Sequence, residues 1–273
     1  MESSEQSVSS IPVVMTIAGS DSGGGAGIQA DLRTFSFNRV HGTSAITCIT
    51  AQNTVGVTRV DALPPESVVA QIEAVFSDMN VRACKTGMLL SQPIIAAVAQ
   101  TLREFGQSCL VVDPVMVSRT GGDQLIDDAA IATLCQDLLP QALILTPNRY
   151  EAQMLSGLAI ETLDDIKQAA QKIAQLGPQF VVVKGGGFRG ALRGVDVWWD
   201  GKAFEILEAE TVETVHTHGT GCTLSAAIAA NLAQGHDPLQ ATRLAKSYVT
   251  QALNHALDIG QGQGPVGHFF ALL

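Results

Sequence analysis

The segment AGSDSGGGAGIQAD, residues 18–31, places five glycines between an apolar run and an amphipathic one. Residues 13–18 have the pattern of a buried strand, and residues 25–38 have that of a helix. Glycines at such a junction let the backbone approach a ligand closely, and the helix N-terminus offers N–H groups without intrahelical acceptors. The segment therefore predicts a ligand-binding loop at the end of a strand. Asp21 and Asp31 flank this loop, where we expect both carboxylates to face a small polar substrate.

The alternation of strand and helix patterns continues on either side of this loop. Apolar runs at 41–52, 81–85, 109–113, 142–146 and 180–184 alternate with helical patterns at 65–79, 92–105, 127–139 and 162–176. Such alternation predicts an α/β fold with a mostly parallel sheet and helices on both faces. Residues 54–60 predict an extra strand, and residues 195–207 predict a hairpin that turns at Asp200 and Gly201. After Gly219 the pattern is helical.

Composition limits the classes of function. The chain has 273 residues, of which 46% are hydrophobic and 15% are charged, so a large core can form. No repeat or linker is visible, and we expect one domain over residues 12–273 after a disordered tail over residues 1–11. A formal charge of −10 disfavours nucleic acid and membrane partners. The five cysteines lack a C-x-x-C pair and no signal segment opens the chain, which predicts a cytoplasmic protein without disulfides or a zinc site.

The glycine loop also contains GAGIQA, residues 25–30, which satisfies the dinucleotide-binding pattern G-x-G-x-x-A. A ribose would need an acidic residue about 20 positions beyond the motif, yet none lies between Asp31 and Asp61. No G-K-[ST] follows the glycines, so a Walker lysine is missing as well. A dehydrogenase is therefore a weaker alternative. The structural alternative is a flexible turn that caps a helix.

A second glycine-rich segment, THGTGCTLSAA, occupies residues 217–227 and opens a predicted helix near Cys222. Its successive N–H groups could form a nest whose partial positive charge suits a phosphoryl oxygen. This nest comprises Gly219, Thr220, Gly221 and Cys222. A helix N-terminus, with His216 and His218 close in sequence, predicts a lowered pKa for the Cys222 thiol. The alternative is a small residue that packs at a helix start.

Polar residues also follow several predicted strands. These strand-end residues are Lys85, Asp113, Asn148, Glu151 and Lys184. In doubly wound sheets the carboxyl ends of the strands line one crevice, so these side chains are expected to converge. Mg²⁺ takes oxygen ligands and lysine neutralises phosphate charge, which predicts magnesium-nucleotide chemistry. Asn148 and Glu151 also have the spacing of a capping box.

Seven segments together resemble one known family. The segments are AGSDSGGGAGIQADL, TAQNTVGV, KTGML, DPVMVS, LTPNRYEA, VVKGGG and THGTGCTLSAA. Their order and spacing resemble the bacterial hydroxymethylpyrimidine/phosphomethylpyrimidine kinases of thiamin biosynthesis. The resemblance implies a ribokinase-like three-layer α/β/α fold and a homodimer. It also implies two successive ATP-dependent, magnesium-assisted phosphorylations of 4-amino-5-hydroxymethyl-2-methylpyrimidine, first on its hydroxyl and then on the monophosphate.

The resemblance also assigns roles to individual residues. It implies a pyrimidine pocket formed by Gly19, Ala26, Asp31, Gln52, Met88 and Val115. Cys222 matches the position at which most ribokinase-like enzymes have an aspartate base, and the implied catalytic set is Cys222, Lys184, Gly219, Thr220 and Gly221. Nucleotide contacts fall to Lys184, Asn148, Thr217 and His218. The implied metal ligands are Glu151 and Asp113.

Two further interpretations remain. A pyridoxal kinase of the same subfamily shares the glycine loop and the G-T-G-C motif, although the segment from Ala51 to Thr54 favours the pyrimidine. The second is a non-catalytic pyrimidine-binding protein. The presence of Lys184, Glu151 and Cys222 together argues against it. Residues 117–122, polar and glycine-containing, are our candidate for a lid over the site.

Overall fold

The computed structural model describes residues 11–117, 125–188 and 190–273. Most of the expected N-terminal tail and of the candidate lid therefore lies outside the described residues. The strands are β1 (Val13–Asp21), β2 (His41–Gln52), β3 (Val57–Ala62), β4 (Val81–Thr86), β5 (Leu110–Val112), β6 (Ile144–Leu145), β7 (Phe180–Val183), β8 (Asp196–Trp199) and β9 (Phe204–Leu207). The α-helices are α1 (Gly27–Phe37), α2 (Pro65–Phe76), α3 (Gln92–Glu104), α4 (Asp128–Thr133), α5 (Arg149–Ser156), α6 (Leu163–Ala174), α7 (Thr220–Ala233) and α8 (Pro238–Asn254).

The strands form one sheet in the order β3-β2-β1-β4-β5-β6-β7-β8-β9. From β2 through β7 neighbouring strands are parallel, whereas β3 pairs antiparallel with β2 at one edge and β7, β8 and β9 pair antiparallel at the other. The predicted mostly parallel sheet is confirmed. The hairpin turn at Asp200 is confirmed as well, since its Oδ1 accepts hydrogen bonds from the N–H groups of Lys202 and Ala203.

Two hydrophobic cores cover the two faces of this sheet. Successive residues of a strand point to opposite faces, so Met15 and Ile17 lie in one core and Val14 in the other. The first core packs α2 to α6 against the sheet, and the second packs α1, α7 and α8. This arrangement is the predicted α/β/α fold. None of the described helices combines the length and apolarity needed to cross a membrane.

The end of the chain differs from the prediction. Helix α8 ends at Asn254, and residues 255–269, here called the C-terminal strap, contain no α-helix. At Gly264 an added Cβ would lie 1.8 Å from the carbonyl oxygen of Leu257, so two parts of the strap backbone approach each other where only glycine fits. The strap binds the backbone of His218 on both sides. The backbone N–H of His218 donates to the carbonyl of Gly264 (3.2 Å), and its backbone carbonyl accepts from the N–H of Val266 (3.3 Å). The strap therefore holds the segment that precedes α7.

His268 fastens the strap to α7 from the inside. Its side chain is buried, and Nε2 lies 2.9 Å from the hydroxyl of Thr223. The Tyr248 hydroxyl donates to the carbonyl of His268. Burial, assisted by the positive charge of Arg33, lowers the pKa of His268 from 6.5 to about 4. The folded protein therefore holds this imidazole neutral at pH values where the unfolded chain binds a proton.

His268→Gln should change how stability depends on pH. Because the folded pKa lies below the unfolded value, His268 costs stability as the pH falls from about 6.5 toward 4. The substitution removes that cost, so relative to wild type the variant should gain on the order of 2–3 kcal/mol between about pH 7 and pH 4.5. Denaturant unfolding at a series of pH values measures this change. The exposed His236→Gln serves as control, and parallel pH profiles for wild type and His268→Gln would contradict the assignment.

Candidate active site

The predicted site residues lie at the carboxyl ends of the parallel strands. Gly19 belongs to β1, Gln52 ends β2 and Lys85 lies in β4. Five other predicted site residues follow the carboxyl ends of β4, β5, β6 and β7. Those residues are Met88, Asp113, Val115, Asn148 and Lys184. The first glycine segment joins β1 to α1, and the second contains the start of α7. The topology therefore brings residues more than 200 positions apart in sequence to one crevice.

Asp21 organises the first glycine segment. Its Oδ1 accepts from the N–H of Gly23 (2.8 Å), and its Oδ2 accepts from the N–H groups of Gly25 (3.0 Å) and Ala26 (2.8 Å). Burial opposes ionisation, but hydrogen bonds from His218, Ala26 and Gly23 lower the pKa of Asp21 below its ordinary value. The expectation that Asp21 faces a substrate is therefore replaced by a structural role, because the loop's own N–H groups occupy its carboxylate.

The two glycine segments contact each other through their backbones. Gly219, the N-cap of α7, has φ +80°, and an added Cβ would lie 1.8 Å from the carbonyl oxygen of Gly25. A side chain at this position would therefore push the segments apart. Helix α7 begins at Thr220, whose hydroxyl donates to the carbonyl of Thr217 (2.6 Å). In the first turn of α7 the Thr220 N–H donates to the carbonyl of Thr217 (3.3 Å) and the Thr223 N–H to that of Gly219 (2.9 Å). The N–H groups of Gly221 and Cys222 lie between them, at positions that have no intrahelical acceptor.

A buried ion pair lies beneath the first glycine segment. Lys85 Nζ is 2.8 Å from Asp31 Oδ2, and the Thr16 hydroxyl donates to the same oxygen (2.6 Å). Burial opposes the ammonium charge, but the carboxylates of Asp31 and Asp113 raise the pKa of Lys85 above its ordinary value. Among the described residues, Asp31 Oδ1 is one of two buried side-chain polar atoms without a hydrogen-bond partner. Lys85, expected among the nucleotide-binding strand ends, therefore pairs instead with a residue assigned to the pyrimidine.

A second ion pair lies beside the nest. Lys184 Nζ is 2.7 Å from Asp113 Oδ1, and the Ser225 hydroxyl donates to Asp113 Oδ2 (3.3 Å). Gly221 lies next to this pair, since an added Cβ would be 3.4 Å from Lys184 Nζ. Burial opposes the charge of Lys184, but Asp113 and Glu151 raise its pKa. An ammonium and the N-terminus of α7 thus meet at one point, which suits a phosphoryl group.

Glu151 is buried close to this pair. It completes the predicted capping box of α5: its Oε2 accepts from the N–H of Asn148 (2.8 Å), and its own N–H donates to Asn148 Oδ1 (3.0 Å). The N–H of Met116 donates to Oε1 (3.4 Å). Burial raises the pKa of Glu151 to about 7, although Lys184 opposes this shift. The Glu151 carboxylate thus caps α5 and also lies in the candidate site.

The sequence analysis missed the clamp that positions Lys184. Asp196 Oδ1 accepts from the N–H of Gly185 (2.6 Å), the residue after Lys184, and Oδ2 pairs with Lys246 Nζ of α8 (2.7 Å). The same ammonium donates to the carbonyl of Gly194 (2.7 Å). An acidic residue inside the strand pattern at 195–207 was the available signal, but its partner Lys246 lies 50 positions away.

The prediction of a lowered pKa for Cys222 is wrong. Burial raises the pKa of this thiol to about 11, and the Lys85 ammonium only partly offsets the effect. His216 and His218 do not supply the expected charge, since His216 pairs with Asp258 and His218 with Asp21. Cys222 is therefore a thiol at neutral pH in the ligand-free protein.

Gln52 lies between two polar side chains. Its Oε1 is 3.1 Å from Thr50 Oγ1, and its Nε2 is 3.3 Å from His218 Nε2. His218, assigned from the sequence to the nucleotide, therefore contacts the opposite part of the crevice. Gly19 lies nearby, where an added Cβ would be 2.7 Å from Cys48 Sγ and 3.1 Å from Met88 Cε. Glycine at this position leaves room for the Met88 side chain.

Known proteins with similar sequences are named as kinases. A family model described as phosphomethylpyrimidine kinase matches residues 21–267. A Synechococcus elongatus protein named hydroxymethylpyrimidine/phosphomethylpyrimidine kinase is 60% identical over 262 residues, which cover 96% of this chain and 99% of that protein. A Rhizobium meliloti protein of the same name is 50% identical and covers 94% of this chain and 97% of its own.

Solved structures give the same overall result. A pyridoxal kinase from Bacillus subtilis in complex with ADP has a TM-score of 0.90 at 39% identity, with 97% of this chain and all of that chain (100%) covered. A phosphomethylpyrimidine kinase from Clostridium difficile has a TM-score of 0.79 at 43% identity, with 89% and 99% covered. The match of the family model over most of the chain, together with these relatives, shows that the protein belongs to the phosphomethylpyrimidine kinase family.

Proposed function

We propose that the protein phosphorylates 4-amino-5-hydroxymethyl-2-methylpyrimidine and then its monophosphate, with ATP as the donor, in thiamin biosynthesis. The observation that carries this proposal is the presence of two lysine–carboxylate ion pairs, one buried and one partly buried, at the carboxyl ends of the parallel strands. Asp31 and Lys85 lie under the first glycine segment, and Asp113 and Lys184 lie beside the nest. The first pair suits a polar ring and the second suits phosphates. The names of the full-length relatives support the same activity.

The pyrimidine end of the crevice has an unsatisfied acceptor. Asp31 Oδ1 is buried without a partner, and a buried acceptor in that state costs free energy. The exocyclic amino group of an aminopyrimidine is a donor that would satisfy it. The carboxamide of Gln52 offers both a donor and an acceptor to the same ring edge. Gly19, Ala26, Met88 and Val115 complete the proposed pocket.

The phosphate end fits a magnesium nucleotide. Asp113 and Glu151 offer carboxylate oxygens, and Mg²⁺ keeps several water ligands, so two protein ligands suffice. No larger cluster of potential metal-binding side chains occurs among the described residues. Bound Mg²⁺ would neutralise phosphate charge. Lys184, Asn148 and Thr217 would contact the nucleotide, and the N–H groups of the nest would hold the transferring phosphoryl group.

The two steps make different demands on Cys222. A hydroxyl nucleophile must lose a proton, whereas the monophosphate is already anionic. Positioning and charge neutralisation by Lys184 and the nest carry the second step. A thiol with a pKa of about 11 is an acceptor only in its minor thiolate form, so the first step should quicken as the pH rises.

Cys222→Ala should therefore slow hydroxyl phosphorylation by at least about tenfold and phosphate phosphorylation by less than about threefold. The variant should also lose the rise of the hydroxyl step between about pH 7 and pH 9. Single-turnover rates for each substrate across that range measure both effects. Cys135→Ala, a half-buried cysteine beyond α4, is the control. Equal slowing of both steps would leave Cys222 with a structural role or a place in the nest alone.

The activity itself is tested by ADP release. Mg-ATP is incubated with hydroxymethylpyrimidine, its monophosphate, pyridoxal or pyridoxine, and the products are identified by mass. We expect turnover of both pyrimidines and formation of the diphosphate. Turnover of pyridoxal alone would replace the proposal with the sister activity. No turnover with any substrate would favour a non-catalytic pyrimidine-binding protein.

Pyridoxal kinase is the second candidate because of one specific observation. The Bacillus subtilis structure, described as a pyridoxal kinase, has a TM-score of 0.90 to this chain. A shared backbone of that quality supports pyridoxal or pyridoxine as an additional substrate. The relatives at 60% and 50% identity are named for the pyrimidine instead, which makes pyrimidine phosphorylation the first proposal.

We also propose a cytoplasmic homodimer. All five cysteines are free, as is usual in a reducing compartment. The edge formed by β2, β3 and their connection exposes four large apolar side chains, namely Ile49, Val55, Val57 and Val60. A second copy could cover such a patch. Sedimentation equilibrium at micromolar concentration tests the assembly, and a monomer there would refute it.

A further inference from the structure

The Nε2 atom of His218 has two polar neighbours that require opposite hydrogen-bonding roles of it, donor toward one and acceptor toward the other. It lies 3.0 Å from Asp21 Oδ2 and 3.3 Å from Gln52 Nε2. The imidazole lies on the first glycine segment, since a Cβ added to Gly25 would be 2.2 Å from His218 Cδ2. The strap holds the backbone of His218 on both sides. The ring is therefore fixed, and the conflict has to be resolved by the placement of protons.

The Asp21 contact decides which state the imidazole nitrogen adopts. An ionised carboxylate only accepts hydrogen bonds, so Nε2 must carry a proton and donate it to Asp21. A protonated Nε2 cannot accept from an amide N–H. The Gln52 atom that faces His218 must therefore be the carboxamide oxygen. Half a turn about the last side-chain bond exchanges the oxygen and nitrogen of the carboxamide without moving the rest of Gln52.

The other end of the carboxamide leads to the same orientation independently. The Thr50 hydroxyl has one proton, and its oxygen lies 2.9 Å from the carbonyl oxygen of Ser20, which can only accept. Toward Gln52, 3.1 Å away, Thr50 can then only accept. The carboxamide NH₂ therefore points at Thr50 and the carboxamide oxygen at His218. Both neighbours agree on a single orientation.

We propose that His218 is a specificity-determining positioning residue: its Nε2–H, anchored on Asp21, fixes the carboxamide of Gln52 in one orientation. The inference rests on the proposed pyrimidine kinase function and deepens it. A fixed carboxamide presents its remaining N–H and its remaining oxygen lone pair at set places. The site then matches a ring with an acceptor nitrogen beside an exocyclic amino donor. It opposes a ring with the reverse pattern, such as the 4-oxo analogue, whose ring N–H donates and whose oxygen accepts.

The test compares the 4-amino substrate with its 4-oxo analogue in calorimetric titrations. Wild type should bind the amino form at least about tenfold more tightly, because a site built for hydrogen bonds rejects a mismatched edge. In His218→Ala the carboxamide can turn, so this ratio should fall to within about threefold while the affinity for ATP stays unchanged. His218→Gln retains an N–H donor at a similar reach and should restore part of the ratio. The exposed His236→Ala, beyond the other end of α7, is the matched control.

Gly25→Ala gives an independent route to the same state. The added Cβ must displace the imidazole, so this variant should also lose the amino-over-oxo ratio. The double variant with His218→Ala should be no worse than either single variant, because both act through one ring. An unchanged ratio in His218→Ala, or additive losses in the double variant, would overturn the proposal.

A substrate-free measurement separates this inference from the proposed function. In nitrogen-15 NMR of the ligand-free wild type, the proton of His218 should reside on Nε2, and the Gln52 NH₂ signals should be slow to exchange. His218→Ala should speed that exchange, whereas His236→Ala should not. An unprotonated Nε2 would overturn the inference whatever the substrate. A protonated Nε2 in a protein that binds neither pyrimidine would refute the proposed function and, with it, the specificity role.

Discussion

The carboxylate of Asp21 is the interaction on which the site depends, because it joins the two glycine-rich segments. It accepts hydrogen bonds from the backbone of the first segment and from His218, which belongs to the second. The N–H groups of Gly23, Gly25 and Ala26 are thereby occupied within the protein. In the proposed function, anion binding is therefore assigned to the second segment, where α7 begins. One glycine segment would shape the ring pocket and the other would hold phosphate, so that a chain of net charge −10 could bind an anionic donor locally.

The buried Lys85 and the partly buried Lys184 pair with carboxylates of the crevice in the free protein. Such pairs contribute little net stability, because the cost of removing both charges from water offsets their attraction. Removing one partner is nevertheless expensive, since the other charge is left buried and unpaired. Lys85 and Lys184 therefore pair with Asp31 and Asp113 inside the protein without favouring the fold strongly. Asp31 still has one unpartnered oxygen, and the proposed function assigns that oxygen to the amino group of the substrate.

The sequence predicts what local periodicity controls and misses what depends on distant contacts. Strand β2 has the predicted bounds, and the hairpin at Asp200 turns where its Asp-Gly pair indicates. The helical pattern did not predict the strap, because the shape of the strap comes from contacts with the distant segment around His218. The Cys222 pKa was predicted with the wrong sign because a sequence shows a helix N-terminus but not how deeply a thiol is buried. Lys85 was recognised as a polar strand end, but its partner, 54 positions away, was not.

The backbone alone does not select the substrate in this fold, since structures described as pyridoxal kinase and as phosphomethylpyrimidine kinase both superpose on the chain. Apolar pockets discriminate weakly between rings of similar size, whereas groups that must hydrogen-bond discriminate by factors of about 10⁴ or more. In the proposed function, the phosphate half of the crevice, built on Lys184 and the nest, makes no demand on the ring. Selectivity would then be concentrated in the few polar groups of the other half, Asp31 and Gln52, and in the residues that fix their orientation. Substitution at those few positions would be enough to redirect the scaffold from one ring to another while the phosphoryl-transfer machinery stays intact.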